Sequence, residues 1–264
     1  AESVSLRLGG RLSVPLDTPA SMDAQVDIQA RGLDLSGGEL AAVVGDRSGL
    51  STRVVIRQDD AISFEGLRLV GSGYSISGDT RLSELGTDMR VDFDVAADFD
   101  DLARFSGIAG RRIGGAVSLA AKGQARPLDG SFDTTVSGTA EDLRTGEPSI
   151  DALSGGESVL NIVARRNAEG VTVEQFTFGN PALAAAVKGT IASRNSRLDY
   201  KVRLNDVNRL TPDYSGPLSA AGQLSRDGEG DWSTDTRIEA PYGARAQATG
   251  ILTGPDATVS IIAS

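Results

Sequence analysis

A period of two in the apolar residues constrains this chain more than any other feature. Val91, Phe93 and Val95 alternate with Arg90, Asp92 and Asp94, and Leu198, Tyr200, Val202 and Leu204 alternate with Asp199, Lys201, Arg203 and Asn205. Side chains two apart share one face of a strand, so such runs are dry on one side and wet on the other. Shorter versions recur at Val4/Leu6/Leu8, Val26/Ile28, Val54/Ile56, Ile62/Phe64, Leu67/Leu69, Tyr74/Ile76, Val117/Leu119, Phe132/Thr134/Val136, Leu160/Ile162, Val171/Val173, Phe176/Phe178 and Val259/Ile261. Turn formers punctuate them, as at Pro127 to Gly130, Gly179 to Pro181 and Asp227 to Gly230. No window keeps a 3.6 period long enough for a stable helix, and only brief helical turns are expected, at Glu39 to Val44, Asp101 to Phe105 and Ile150 to Leu153. Glycine, 32 of 264 residues, is well above its usual ~7% share, which suits many short strands and tight turns. The chain reads as all-β.

Sliding the sequence against itself reveals an internal repeat. With an offset near 108, Asp34-Leu35 falls on Asp142-Leu143, Gly38-Glu39 on Gly146-Glu147 and Val54 on Ile162. The match continues one step out of phase, with Ile62/Phe64 over Val171/Val173 and Leu67/Leu69 over Phe176/Phe178. Further on, Asp92-Phe93 and Val95 match Asp199-Tyr200 and Val202, and Asp101-Leu102 with Arg104 matches Asp206-Val207 with Arg209. Two copies are therefore expected, at 23–124 and 131–223, with partial copies at 1–22 and 224–264 in one continuous β segment. A repeat kept in pattern more than in identity belongs to folds that grow by adding strands along one axis.

The expected architecture is a single long sheet, twisted and curled into an open groove, with about 16 short strands at ~4.8 Å spacing. Residues sharing the apolar phase are the candidates to line that groove: Val54, Ile56, Ile62, Phe64, Leu67, Leu69, Val91, Phe93, Val95, Leu160, Ile162, Val171, Val173, Phe176, Phe178, Tyr200, Val202 and Leu204. The rival is a solid core in a sandwich or a secreted β-helical adhesin, where the same residues are sealed against each other. Unpaired edges at both ends of such a sheet suggest a segment of a longer chain, as does a first residue, Ala1, that is not Met.

Charge and residue usage exclude several classes. The net charge of −10, with no long basic block, opposes nucleic-acid binding. Absence of both His and Cys removes the commonest general base, the commonest metal ligand and every thiolate chemistry. The adjacent carboxylates Asp59-Asp60 and Asp100-Asp101 point to opposite faces of a strand or sit in turns, and the acidic turn Asp98 to Asp101 matches no calcium-loop spacing. Gly71 to Gly78 reads as a tight turn plus strand and not as a dinucleotide fingerprint. Trp232 is expected to lie in a strand, facing inward. The longest apolar runs, Leu40 to Val44 and Ala182 to Val187, are far below the ~18 residues of a membrane span. No catalytic residue, metal ligand or cofactor site is assigned, and the chain is expected not to be an enzyme.

These strand-and-turn patterns resemble the TamB family, the large AsmA-like envelope proteins of Gram-negative bacteria. The likeness is carried by FEGLRLVGSGYSISG at Phe64 to Gly78, DDLARFSG at Asp100 to Gly107, GGAVSLAAKG at Gly114 to Gly123, DLRTG at Asp142 to Gly146, SGGE at Ser154 to Glu157, LDYKVRLNDVNRL at Leu198 to Leu210 and SGPLS at Ser215 to Ser219. It covers roughly residues 50 to 252. The resemblance implies a long, U-shaped twisted β structure, the β-taco, with a greasy inner face. It also implies attachment to the inner membrane by a preceding helix and a reach across the periplasm. The implied cargo is phospholipid acyl chains or outer-membrane β-barrel precursors. The implied partner is a BamA-like outer-membrane protein of the TamA type, in outer-membrane assembly, protein secretion and lipid transport. The signal-anchor helix and the C-terminal contact would lie in parts of the protein outside this sequence.

Overall fold

The computed structural model of the chain describes residues 3–13, 21–31, 47–56, 61–86 and 88–263. Its strands are β1 (Ser3–Ser13), β2 (Ser21–Arg31), β3 (Arg47–Ile56), β4 (Ile62–Gly71), β5 (Tyr74–Ser83), β6 (Arg90–Phe99), β7 (Gly114–Arg126) and β8 (Ser131–Arg144). They continue with β9 (Glu157–Asn167), β10 (Gly170–Gly179), β11 (Leu183–Ala192), β12 (Asn195–Leu204), β13 (Leu218–Asp227), β14 (Ser233–Glu239), β15 (Arg245–Ile251) and β16 (Thr258–Ala263). Strand order in the sheet is chain order throughout, giving a single open sheet that does not close into a barrel. The ladders from β1 to β7 and from β9 to β16 are antiparallel, so the parallel coils of a β-helix are not what this sequence forms.

Two compact units divide the chain, Ala1–Ala140 and Glu141–Ser264. The repeats expected at 23–124 and 131–223 occupy β2 to β7 and β8 to β13. Within each unit the same order appears: a bulged strand (β4 or β10), two plain strands, a single 3-10 turn and a further strand.

Bulges account for the three-residue spacing between Phe64 and Leu67 and between Val173 and Phe176. Phe64 and Leu67 are three residues apart, yet they pair with Thr80 and Gly78, which are two apart. The extra residue is absorbed at Glu65–Gly66, where Gly66 takes the left-handed conformation (φ 59) that a bulge glycine supplies at no steric cost. In β10, Val173 and Phe176 pair with Gly189 and Val187, the extra residue falling at Glu174–Gln175. Ile62/Phe64 and Leu67/Leu69 are thus one strand rather than two, and so are Val171/Val173 and Phe176/Phe178.

Among the described residues, helix is limited to one-turn pieces at Leu102–Phe105, Ser106–Ala109, Pro148–Asp151, Val207–Arg209 and Pro241–Gly243. The first and third answer the turns expected near Asp101 and Ile150, whereas the one expected at Glu39 to Val44 lies outside the described residues, as do Asp34-Leu35, Gly38 and Asp59-Asp60. Short polar side chains set the connections. Asp101 caps the first 3-10 turn by accepting from the Ala103 amide at 2.9 Å, and Asp206 accepts from the Asn208 amide at 3.1 Å and the Gly216 amide at 3.0 Å. Asn180 holds the β10–β11 turn by accepting from the amides of Ala182 and Leu183, and Asp129 holds the β7–β8 turn through the Ser131 amide.

The Gly216 and Asn208 amides hold the Asp206 carboxyl below its ordinary value. A depressed carboxyl adds stability above its ordinary titration range, and that stability is lost as pH falls through the lowered value. Protection of the Gly216 and Asn208 amides, measured as exchange relative to the free-peptide rate at the same pH, is therefore expected to hold from pH 8 to 5 and to fall in acid. Asp206→Asn should flatten this dependence; an unchanged pH profile in the variant would show that the carboxylate does not hold the loop.

Candidate functional site

Register gathers the sequence-predicted residues onto one face in each unit. In the first, Val54 stands opposite Phe64 and Ile56 opposite Ile62. Across β5 the rows continue as Phe64–Thr80–Phe93, Ile62–Leu82–Val91 and Leu67–Gly78–Val95, and Leu69 stands between Leu50 and Ile76. In the second unit Leu160 stands opposite Phe178 and Ile162 opposite Phe176. Across β11 the rows run Phe176–Val187–Tyr200, Phe178–Ala185–Val202 and Leu183–Leu204, with Val171 beside Ile191 and Val173 beside Gly189. Directly paired residues point to the same side of a sheet, so each unit gathers these residues onto one predominantly apolar face. The bulges keep Phe64 with Leu67, and Val173 with Phe176, on that face despite their odd spacing.

Burial distinguishes this face from a sealed core. All of the named residues except Leu204 are half-buried; Leu204 is 4% exposed. Among the described residues the fully buried apolar side chains are mostly alanines, with Tyr74, Leu204 and Val207 the larger ones. Those three mark one end of the face. In the first unit Tyr74, Phe99 and Phe105 form an aromatic cluster with ring centroids 5.3–6.4 Å apart, at the 3-10 turn that follows β6. In the second, Leu204 ends β12 and Val207 lies in the 3-10 turn that follows it. The hairpin-turn end of each face has no such cap among the described residues.

The opposite face carries the charge. Arg53 reaches both Asp23 and, at 3.1 Å, Glu65, while Lys122 meets Asp94 at 3.0 Å, Arg90 meets Asp92 at 2.7 Å and Arg165 meets Glu174 at 3.5 Å. Asp23 raises the Arg53 guanidinium further into its charged range. These are exposed, solvent-screened pairs that wet one side of the sheet without covering the other. Two hollows follow the central rows. One, of about 450 Å³, involves Phe64, Thr80, Phe93 and Gly123 with their chain neighbours; the other, of about 520 Å³, involves Phe176, Val187, Tyr200 and Gly222 with Lys188, Asp199 and Lys201.

A polar thread crosses the apolar face of the second unit. The Tyr200 hydroxyl reaches past Gly222 to Thr236 Oγ1, which also bonds Thr234 Oγ1 at 2.7 Å. Thr236 is buried, so its hydroxyl needs these partners. Tyr200→Phe is expected to lower stability by about 1 kcal/mol, read from the urea midpoint at unchanged slope; no loss would mean that water replaces the phenol fully.

Several sequence expectations move. Trp232 precedes β14 instead of lying in a strand; its amide donates to Thr253 Oγ1 and its ring carries Arg226, with Cζ 5.2 Å from the centroid. Asp98 accepts from the Ser118 hydroxyl at 2.7 Å and Asp101 serves as a cap, so both acidic side chains have structural partners. No group of three or more metal-ligating side chains occurs among the described residues. No helix of the described residues is long and apolar enough to cross a membrane. Sequence reading missed the contributions of Leu82, Val187 and Leu224, which the register places in the same rows. Compared with protein families, with curated proteins and with solved structures, the chain finds no match in any of the three.

Proposed function

We propose that this chain is a non-enzymatic scaffold that shields hydrocarbon on its apolar sheet face, as a TamB-like segment of the cell envelope. The observation that carries the proposal is a continuous row system in each unit whose large apolar side chains stay half-buried. Covering such a face with an acyl chain is favourable by ~0.8 kcal/mol per methylene and needs no directed hydrogen bonds, so one surface serves many lipids. The strand-and-turn likeness to the TamB family supports a periplasmic setting between inner and outer membranes. It also supports a role in phospholipid transport or outer-membrane protein assembly beside a TamA-type partner.

The test is lipid content. Protein purified from cells, extracted into organic solvent and analysed by mass spectrometry, is expected to release phospholipid in stoichiometric amounts. After delipidation it should take up lysophospholipid in native mass spectra. Protein that releases no lipid and takes none up would overturn the proposal.

A further inference from the structure

Charge is nearly absent from the apolar face of the second unit, and where it occurs it is of one sign. Following the register from β9 to β16, the face carries two charged residues, Arg166 and Arg226. Both are cations, in a chain whose net charge is −10. Both lie at the hairpin-turn end: Arg166 is paired with Val171, and Arg226 follows Leu224 in the apolar phase of β13 and is paired with Ser196. The far end of the same face is the one closed by Leu204 and Val207.

Arg226 differs from the ion-paired arginines of the other face. Its guanidinium stacks over the Trp232 ring, and its Nε is buried with no hydrogen-bond partner, alone among the buried side-chain nitrogens and oxygens of the described residues. Asp227, Glu229 and Asp231 belong to the same turn but none pairs with it; Asp231 accepts from the Thr253 hydroxyl instead. A buried, charged donor without an acceptor is costly, and the ring fixes the fork without satisfying it. The side chain as a whole is only half-buried and no carboxylate neutralises it, so an anionic oxygen can meet the outer part of its fork. From Arg226 to Gly222, level with Tyr200, is four residues, about 13 Å of strand, past Leu224 and Leu198.

We propose that Arg226, stacked on Trp232, anchors the anionic headgroup of an amphiphile whose hydrocarbon runs along β12 and β13 toward Tyr200. The anchor rests on the hydrocarbon-shielding function and adds a preference to it: the ligand carries a carboxylate or phosphate, and it lies with its head at the hairpin-turn end. Carboxylates and phosphodiesters share this chemistry.

Trp232, the sole tryptophan, reports on the site directly. The whole chain, delipidated, is titrated with palmitate, lysophosphatidylglycerol and the uncharged monopalmitoylglycerol, each below its aggregation concentration, following Trp232 fluorescence and native mass spectra. One or both anions should bind about tenfold or more tighter than the uncharged lipid and shift the Trp232 emission; the stronger of the two identifies the headgroup. Arg226→Gln should bring all three affinities together while leaving monopalmitoylglycerol binding unchanged, which also shows that the variant is folded. Arg226→Lys should keep part of the preference. Equal affinities in the wild-type chain, or a preference that survives Arg226→Gln, would overturn the anchor and leave hydrocarbon shielding standing. No binding of any of the three would overturn both.

Discussion

Gly222→Val is expected to lower the stability of the second unit by about 2–4 kcal/mol. Gly222 lies in register between Tyr200 and Thr236, where the β14 backbone comes so close that a Cβ would overlap the Asp235 carbonyl oxygen and crowd Thr236 Cα. The obstacle is backbone, which cannot rotate aside, so the strand must separate from β14. Separation also breaks the Tyr200–Thr236 contact and leaves Thr234 as the partner of the Thr236 hydroxyl. Gly155→Ala is the control: nothing lies within 4 Å of its Cβ, and a change of less than about 0.5 kcal/mol is expected. Urea titrations of the full chain followed by Trp232 fluorescence measure both. A valine variant as stable as the wild type would mean that the close approach at Gly222 is not a fixed part of the fold.

The second large effect concerns cargo. Phe178→Asp is expected to abolish lipid uptake, while Thr177→Asp, one residue away, leaves it intact. Phe178 stands in the row Leu160–Phe178–Ala185–Val202, whereas the Thr177 side chain points to the charged face. A carboxylate in the row denies an acyl chain about three or four methylenes of dry contact, ~3 kcal/mol or more than a hundredfold in affinity. The corresponding pair in the first unit is Phe93→Asp against Asp92→Asn. Both members of each pair carry their change on a half-buried strand position, so a difference in uptake at equal circular dichroism belongs to the face and not to folding. Equal losses at 177 and 178 would separate lipid uptake from the apolar rows.

How much of this was legible in the sequence follows from side-chain size. Strands with large alternating residues, such as β6 and β12, announce themselves, because burial of Val, Phe, Tyr or Leu every second residue has no other economical explanation. β13, β14 and β15 are quieter. Their apolar-face positions hold Ala220, Gly222, Thr234, Thr236, Ala246 and Ala248, small residues that barely differ in polarity from their neighbours. The bulges were visible only as a three-residue gap, Phe64 to Leu67 and Val173 to Phe176, which looks like a break between two short strands. Their consequence, that four short runs make two strands, needed the pairing of Phe64 and Leu67 with Thr80 and Gly78. Arg226 was hidden for a different reason. It occupies the next apolar-phase position after Leu224, but a lone cation at a strand end looks like an ordinary strand terminus until Trp232, outside the strand, is found beneath it. The sequence repeat was legible because both copies keep the aspartate caps, Asp101 and Asp206, at the same step between strands.

The central proposal, that the apolar face of each unit carries hydrocarbon, is tested most directly by site-specific photocrosslinking along β10. A benzophenone side chain is placed at each position from Val171 to Phe178 in the full chain, which is then illuminated with labelled phospholipid vesicles. Crosslinks are predicted at 171, 173, 176 and 178 and not at 172, 174, 175 and 177, a period of two that slips by one residue at the bulge. Crosslinking of equal strength at all eight positions, or at none, would contradict it.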